Sequence, residues 1–346
     1  MVRLREIGDV VFTTPAVRAL RRRFPDAHIT YLVEPAAAPI VATNPHINEV
    51  IVVPRRAGLA SETRLVRRLR SARFDVAIDF HGGPRASLLT WLSGAPLRIG
   101  YEVVGRSWMY TLRVERPREL RARHSVVNQW DLLTPLGIDG PSRDRDAVEM
   151  HIDPATARAV AGRLAQAGIT SGDRLAVVHV SAGNPFRRWP IESFVAVAAG
   201  LSARDARCHV IVTSGPSERD AAAKVIAESR ARLAASERHR VLDLGELSLT
   251  ELRAVLNDAA IYIGGDSGPL HVAATSRVPI VGLYGPTLPA RSAPWRPDDW
   301  RAEAVEVADL PCRPCDQRRC EPGDFRCLAR ITPEQVLEAA RRVMNI

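Results

Sequence analysis

The chain has 346 residues, of which 46% are hydrophobic and 25% charged, a composition typical of a globular protein. This length exceeds that of one typical domain and fits two. The net charge is +9, but Lys224 is the only lysine among 48 basic residues, so we attribute the charge to genome composition rather than to a binding surface.

The sequence lacks the segments that carry a protein into a membrane. No apolar run approaches the roughly 20 residues that span a bilayer. Residues 1–6 have no apolar core of a signal peptide, so we expect a cytoplasmic protein. A basic surface still suits an anionic substrate or the negative face of a membrane. No aromatic-plus-basic repeat indicates nucleic acid, and we expect no such partner.

Strands and helices alternate through the first half, which implies a parallel sheet. We expect strands at 2–5, 28–33, 50–53, 74–79 and 98–101, and helices at 8–24, 61–73, 85–92 and 124–136. Residues 113–123 are polar, and we expect a loop that faces a substrate.

The first strand is unusually short. Only residues 1–5 precede the turn at Gly8, whereas a central strand usually runs about 5–6 residues. Either further residues precede Met1 or the sheet has a clipped strand. Asp9 follows this strand near the start of a helix, where a carboxylate is favoured electrostatically. Taken alone, Asp9 is interpreted as a helix cap.

A second series of strands and helices follows residues 137–146, which are rich in Gly, Pro and Asp and predict a linker. We expect domains at 1–150 and 151–330 and a final helix within 331–346. In the second domain we expect strands at 175–180, 208–212, 241–244, 259–263 and 279–284, and helices at 153–167, 191–203, 219–233 and 249–257.

Polar side chains follow three strands of this second series. The carboxyl ends of parallel strands converge on one rim, so these residues are expected to lie together. They are Ser181 and Arg187 after the first strand, Glu218 after the second, and Asp266, Ser267 and His271 after the fourth.

The turn at 264–268 reads Gly-Gly-Asp-Ser-Gly between a strand and a short helix. Such a turn exposes backbone N–H groups that hold phosphate, and its glycines allow close approach of a ligand. The alternative is an ordinary strand-to-helix connection with Asp266 or Ser267 as the N-cap. For His271 the alternative is a buried histidine that packs the helix.

Four cysteines lie close together near the C-terminus, in the pattern C-x2-C-x4-C-x6-C: Cys312, Cys315, Cys320 and Cys327. Such a group binds zinc or an iron–sulfur cluster, forms disulfides, or stays as reduced thiols in a surface loop. We keep a structural metal and reduced thiols as alternatives, neither of which implies catalysis. Cys208 stands alone in a strand and is expected in the core.

Together these motifs resemble the family-9 glycosyltransferases, the heptosyltransferases of lipopolysaccharide core assembly. The resemblance covers nearly the whole chain, and its most specific part is Asp266-Ser267-Gly268-x-x-His271-x-Ala273-Ala274. The other matching motifs are Ile7-Gly8-Asp9-Val10-Val11, Asp79-x-x-Gly82, Arg98-Ile99-Gly100-Tyr101, Arg187-Arg188-Trp189-Pro190, Gly215-x-x-Glu218 and Leu283-Tyr284-Gly285-Pro286-Thr287.

The resemblance implies a GT-B fold, with two Rossmann-like domains whose parallel sheets face each other across a cleft. It implies that the acceptor binds the N-terminal half and that an ADP-sugar, usually ADP-heptose, binds the C-terminal half. It also implies inversion of the anomeric centre without a catalytic metal or other cofactor. The final helix in such folds often packs back on the first domain.

The resemblance also implies roles for single residues. Asp9 matches the general base, and Arg187 stands where the family usually has a lysine beside the donor diphosphate. Glu218 matches the carboxylate that holds the nucleoside. Asp266 would bond sugar hydroxyls, while Ser267, Gly268 and His271 would hold the departing ADP, with Ser181 as a further phosphate contact.

The sequence therefore predicts an inverting heptosyltransferase, monomeric and peripheral to the inner membrane, that acts on a glycolipid acceptor. One alternative is a GT-B enzyme with another nucleotide sugar or acceptor. Another is a sugar-nucleotide binder without turnover, against which the presence of Asp9 argues. A nicotinamide dehydrogenase is disfavoured because no G-x-G-x-x-G follows the first strand.

Overall fold

The computed structural model describes residues 1–116, 123–180 and 183–345. The chain divides into two compact units, Met1–His151 and a second that begins at Ile152. The segment 137–146, predicted to be the linker, belongs to the first unit. Its Asp146 is fully buried and accepts a hydrogen bond of 2.5 Å from Arg22 Nη2. This ion pair fixes the segment 137–146 on the first unit, so the segment is packed there and is not an open linker.

The first unit alternates short strands and helices. Its elements are α1 (Ile7–Val11), α2 (Thr14–Arg23), β1 (Thr30–Val33), α3 (Ala38–Val41), β2 (Glu49–Val52), α4 (Leu59–Ser71), β3 (Val76–Asp79), α5 (Pro84–Leu92), β4 (Leu97–Tyr101), β5 (Leu112–Val114) and α6 (Ser125–Trp130). Part of the predicted substrate loop, residues 117–122, lies outside the described residues. Residues 112–114 form a strand rather than the predicted loop.

Residues 1–4 form the centre of the first sheet although they are too few for a regular strand. Val2 bridges in parallel to Leu32 of β1 and to Asp79 of β3. Its backbone N–H donates to Ile78 O at 2.9 Å, and its carbonyl accepts from Phe80 N at 3.0 Å. The segment thereby joins the pair β1–β2 to the trio β3–β4–β5. Numbered from this segment, the spatial order is 3-2-1-4-5-6, as in a dinucleotide-binding fold.

The single helix predicted over residues 8–24 is wrong, because the chain breaks between α1 and α2. The hydroxyls of Thr13 and Thr14 donate to the carbonyls of Val10 and Val11 at 2.7 and 2.8 Å. Side-chain bonds of this kind compete with the helix ladder. Pro15 then occupies the first turn of the next helix, where a proline is tolerated.

The second unit repeats the same architecture with longer elements. They are α7 (Pro154–Gln166), β6 (Arg174–His179), α8 (Ile191–Arg204), β7 (Cys208–Thr213), α9 (Arg219–Ala231), β8 (Val241–Leu242), α10 (Leu249–Asp258), β9 (Ala259–Gly265), α11 (Gly268–Ala273), β10 (Ile280–Tyr284), α12 (Pro289–Ser292), β11 (Ala302–Glu306), α13 (Arg326–Ala329) and α14 (Pro333–Met344). Its strands are all parallel, in the order β11-β10-β9-β6-β7-β8. This is again the order 3-2-1-4-5-6.

The last helix, α14, packs in the core of the second unit. Its buried residues Val336, Ala340 and Val343 belong to the apolar cluster that α8 and the sheet form. A capping box between Thr332 and Gln335 starts the helix. This apolar face of α14 therefore packs within the second unit, and the contact expected between the final helix and the N-terminal domain stays a prediction. Among the described residues, no helix is both long enough and apolar enough to cross a membrane.

Candidate active site

The strand order of the second unit indicates where a ligand binds. The chain reverses direction of winding between the neighbouring strands β6 and β9, and ligands of doubly wound sheets bind at the carboxyl ends of such a pair. Arg187 follows β6, and Asp266 follows β9. The structure brings these two sequence-predicted residues together, whereas Ser181 lies outside the described residues.

A short segment after β6 holds Arg187 at this point. Pro185–Arg187 form one turn of 3₁₀ helix, and the side chain of Asn184 caps it by accepting from Phe186 N at 3.0 Å. Trp189 is buried, and its indole N–H donates to Ile331 O at 3.0 Å. The turn and the buried tryptophan together fix the direction in which the arginine leaves the backbone.

The guanidinium of Arg187 is held along two of its edges. Nη1 donates to the carbonyl oxygen of Asp266 at 3.0 Å and lies 3.4 Å from its Oδ2. On the other edge Nε donates to Oε1 of Gln317 at 2.7 Å. Within the described residues Nη2 makes no hydrogen bond, and the side chain is partly exposed. The free edge is therefore available to an anionic ligand.

Asp266 is a buried carboxylate surrounded by protein groups. Thr287, which follows β10, donates its hydroxyl to Oδ2 at 2.5 Å. Nε2 of His271 lies 3.4 Å from Oδ1. Burial alone would raise the pKa of Asp266, but His271, Arg187 and Thr287 outweigh it and lower the pKa to about 2.

The structure gives the contacts of Asp266, for which the sequence predicts hydrogen bonds to sugar hydroxyls. Its Oδ2 accepts from Thr287 and lies 3.4 Å from Nη1 of Arg187, and its Oδ1 faces His271. The carboxylate is therefore placed to orient Arg187, and its hydrogen bonds to sugar hydroxyls stay a prediction. Thr287 was visible in the sequence as the end of a motif, but nothing in the pattern showed that it bonds Asp266.

The rest of the predicted turn differs in detail from the expectation. Gly264 and Gly265 belong to strand β9, and the turn is reduced to Asp266 and Ser267. Ser267 directly precedes α11, but its hydroxyl does not cap that helix, and both Ser267 and Gly268 remain partly exposed. A side chain at Gly265 would lie 3.3 Å from the carbonyl oxygen of Arg187, so glycine permits this close approach.

Glu218 lies at the carboxyl side of β7 and is buried. Its Oε1 accepts a hydrogen bond of 2.9 Å from Nη2 of Arg188, the residue next to Arg187. Beside it at the end of β6, His179 is buried with Nδ1 2.9 Å from the hydroxyl of Thr213. Burial lowers the pKa of His179 to about 4, so this imidazole is neutral at neutral pH. Sequence reasoning did not single out His179.

Asp9 occupies the corresponding place in the first unit, after the central segment 1–4. It lies inside α1 rather than at its N-cap and forms an ion pair with Arg3, so the interpretation as a helix cap is wrong. Arg3 is mostly buried, and its Nη1 donates to Phe80 O at 2.5 Å. The side chain of Asp9 is 37% exposed, so its carboxylate is accessible to solvent.

The loop after β3 lines the same end of the first sheet. Asp79 is fully buried and accepts from the backbone N–H groups of His81 and Gly82, both at 2.8 Å, and from the hydroxyl of Tyr110 at 2.6 Å. These three bonds fix the loop. Burial, and then the charge of Arg3, lower the pKa of His81. The neutral form of His81 is therefore favoured next to the charge of Arg3.

A cavity of 620 Å³ in the first unit is not a candidate for the site. It is lined by Met1, Thr30, Val76 and Phe74, at the amino ends of the strands. Ligands of such sheets bind at the opposite, carboxyl ends.

The four C-terminal cysteines line a separate cavity of 350 Å³ beside Phe186 and Pro286. All four are free thiols, and burial raises the pKa of Cys327. Throughout the described ranges, no group of three or more His, Cys, Asp or Glu side chains is arranged to hold a metal ion. The structure therefore gives no support to the zinc or iron–sulfur alternative.

Comparison with known proteins decides the family. The sequence profile described as "Glycosyltransferase family 9 (heptosyltransferase)" matches residues 62–325, which is more than half of the chain. The chain belongs to glycosyltransferase family 9. This family 9 enzyme is thus a glycosyltransferase, and the resemblance of its motifs is confirmed.

Individual relatives agree with this assignment. Lipopolysaccharide heptosyltransferase 3 of Escherichia coli is 29% identical over 321 residues, covering 90% of this chain and 89% of the relative. The glycosyl transferase family 9 structure from Veillonella parvula DSM 2008 is 25% identical, with a TM-score of 0.85 over 99% of this chain and 96% of the other.

A further structure shows the fold alone. The E. coli ADP-heptose LPS heptosyltransferase II has a TM-score of 0.78 at 20% identity, covering 99% of this chain and 97% of the other. Together with the two sheets of order 3-2-1-4-5-6, these likenesses confirm the predicted GT-B class with Rossmann-like domains.

Proposed function

We propose that this enzyme moves a heptose from ADP-heptose to a glycolipid acceptor of the lipopolysaccharide-core type, inverting the anomeric centre without a catalytic metal. The observation that carries the proposal is the guanidinium of Arg187, held by Asp266 and Gln317 with one edge free. Membership of family 9 supports it, as do relatives whose names specify lipopolysaccharide and ADP-heptose.

The donor diphosphate binds the free edge of Arg187 in this proposal. A guanidinium grips phosphate oxygens through a fork of N–H donors and neutralises charge as the ADP departs. Ser267 and Gly268, both partly exposed beside Asp266, contact the same diphosphate, with Ser181 as a further contact. Glu218 holds the ribose hydroxyls.

His271 and Asp266 act indirectly. The buried carboxylate of Asp266 fixes Arg187, and His271 supports the carboxylate from its other side. The charges of these groups are therefore arranged before the donor arrives, which is the condition for effective electrostatic stabilisation.

Asp9 is the general base. The acceptor hydroxyl oxygen attacks the anomeric carbon while the bond from that carbon to the diphosphate oxygen breaks. ADP leaves with the electron pair, and the proton of the hydroxyl passes to a carboxylate oxygen of Asp9. A single displacement of this kind inverts the configuration at carbon. The ion pair with Arg3 orients the carboxylate for this transfer.

We also propose that the enzyme is a peripheral protein of the cytoplasmic membrane face. On α5 the side chains of Leu88 and Trp91 are exposed on one face, next to the 3₁₀ turn that carries Trp108. The two tryptophan rings meet edge-on at 5.4 Å, and Val104 nearby is 98% exposed. Exposed Arg70 donates to the last carbonyl of α5 at 3.1 Å. Aromatic side chains beside arginine suit an anionic bilayer surface.

Sedimentation with vesicles tests this membrane contact. We expect binding to vesicles of phosphatidylglycerol and phosphatidylcholine that is lost in the double variant Trp91→Ser, Trp108→Ser. The control is Val52→Ser, at an exposed apolar residue of strand β2. Equal sedimentation of all three proteins would remove this surface as the contact.

Calorimetry and a transfer assay test the function itself. We expect ADP and ADP-heptose to bind and UDP- and GDP-sugars to bind much more weakly. We expect transfer to a core glycolipid with inverted anomeric configuration, as read by NMR of the product. Binding without transfer to any acceptor would favour a non-catalytic sugar-nucleotide binder, and transfer from another nucleotide sugar would replace the donor.

A further inference from the structure

The C-terminal cysteine segment, residues 312–327, packs directly on the donor-side residues of the second unit. The backbone N–H of Cys315 donates to Pro286 O at 3.1 Å, and Nη2 of Arg313 donates to Thr287 O at 2.9 Å. The rings of Phe325 and Phe186 meet edge-on at 5.5 Å. The segment thus contacts both the loop after β10 and the turn that carries Arg187.

Gln317 is the residue of this segment that reaches the site. Its Oε1 accepts two hydrogen bonds, from Nε of Arg187 at 2.7 Å and from Nδ2 of Asn184 at 2.8 Å. Its neighbours Asp316 and Arg318 are exposed, whereas Gln317 is partly buried. The side chain is therefore directed to the arginine from a segment whose adjacent residues face solvent.

The two bonds to Arg187 have different effects on its guanidinium. Asp266 supplies charge and holds Nη1, but a point of attachment on one edge leaves the plane free to tilt. Gln317 holds the Nε edge, and the two contacts together define the plane. The orientation of that plane decides whether phosphate is bound in a bidentate way, because two N–H groups of the guanidinium must point at two phosphate oxygens at once.

We propose that Gln317 is a positioning residue of the donor site, which sets the orientation of Arg187 toward the diphosphate, and that the cysteine segment is a wall of that site. The proposal rests on the proposed function, since it assumes that Arg187 binds the donor diphosphate. The ligand of the oriented Arg187 is the pyrophosphate of an ADP-sugar. Gln317 acts on this ligand only through the hydrogen bond between its amide oxygen and Arg187.

The first variant is Gln317→Met, which keeps an unbranched side chain of similar length and removes the acceptor. The Nε–H of Arg187 then loses its partner, and we expect the Kd for ADP to rise about 5- to 30-fold. The control is Arg318→Gln, at an exposed position of the same segment, for which we expect wild-type affinity. Because Gln317 has φ of +60°, Gln317→Gly is a second variant that relieves the backbone and removes the amide.

A double-mutant cycle separates positioning from general support of the fold. In the Arg187→Lys background no Nε–H exists at this place, so Gln317→Met should weaken ADP binding less than twofold there. We also expect the donor KM to rise more than kcat falls, with an unfolding temperature that is unchanged in Gln317→Met and not lowered in Gln317→Gly.

The outcomes are distinguishable. Wild-type affinity for ADP in Gln317→Met, or an equal loss in both backgrounds, would overturn the inference while leaving the proposed function intact. If the wild-type enzyme itself bound no ADP by calorimetry, the proposed function and this inference would fall together.

Discussion

The hydroxyl of Thr287 donates a 2.5 Å hydrogen bond to Oδ2 of Asp266, across the gap between the ends of two neighbouring strands. Both residues are buried, so the hydroxyl gives Oδ2 a hydrogen-bond donor that water would otherwise supply. It connects the loop after β10 to the charge that holds Arg187. The polar residues at the carboxyl ends of β6, β9 and β10 therefore form one network rather than a row of independent side chains.

Removal of this hydroxyl should cost stability and donor affinity together. In Thr287→Val the buried carboxylate loses a partner, and we expect the free energy of unfolding to fall by about 1–3 kcal/mol. We also expect weaker ADP binding, since Asp266 then holds Arg187 less firmly. Thr287→Ser keeps the hydroxyl and is the matched control. Chemical denaturation and calorimetry measure both effects, and a fully stable valine variant would contradict the network.

The guanidinium of Arg187 should be more than a positive charge. Arg187→Met removes the charge and should weaken ADP binding by about 10-fold or more. Arg187→Lys keeps the charge but loses the fork and the contact to Gln317, so we expect an intermediate affinity. Arg219→Gln, at an exposed arginine of α9, is the control. Equal affinity of the lysine variant and the wild type, measured by calorimetry, would show that charge alone suffices.

Buried His179 should make stability depend on pH. Its folded pKa of about 4 lies below the unfolded value of about 6.5, so the unfolded chain binds the extra proton between these values. Its contribution is present above pH 6.5 and is lost as pH falls toward 4, by roughly 3 kcal/mol in total. His179→Asn keeps a partner for the Thr213 hydroxyl. Denaturation curves at several pH values should show a shallower slope for this variant, and identical slopes would exclude the assignment.

Gly285 should be intolerant of any side chain. A Cβ there would lie 2.5 Å from Cγ of Leu328, so Gly285→Ala forces a core residue aside and should cost about 1–3 kcal/mol of unfolding free energy. The cost should shrink in the Leu328→Ala background. Gly162→Ala, in α7 with open space around it, should instead stabilise by about 0.5–1 kcal/mol. Denaturant unfolding of the wild type, Gly285→Ala, Leu328→Ala and the double variant measures the coupling between the two positions. Additive effects of the two substitutions would contradict the predicted contact.

The sequence was sufficient to predict the alternation of strands and helices and the family. The spacing of apolar residues and the short motifs are local properties of the sequence. The common location of Arg187, Glu218 and Asp266 follows from parallel strands that end on one rim. Boundaries were less predictable. The break between α1 and α2 depends on threonine side chains that bond back to the helix, and β9 extends through two glycines that favour a turn by propensity alone.

Contacts between distant residues could not be predicted from the pattern. Gln317 is 130 residues from Arg187 in sequence, and only the packing of the cysteine segment brings the two together. The hydrogen bond from Thr287 to Asp266 could not be predicted for a similar reason, since Thr287 reaches the carboxylate from another strand. The short segment 1–4 takes the central position of the first sheet because β1 and β3 supply its partners on both sides.

The central claim is that Asp9 accepts the proton of the acceptor hydroxyl during heptose transfer. The direct measurement is the rate of heptose transfer from ADP-heptose to a core glycolipid by wild-type enzyme, Asp9→Asn, and the control Glu6→Gln at a neighbouring exposed acid. We expect Asp9→Asn to lose about 10²- to 10⁴-fold in rate while it binds ADP with wild-type affinity, and Glu6→Gln to transfer normally. Transfer by Asp9→Asn at the wild-type rate would contradict the account.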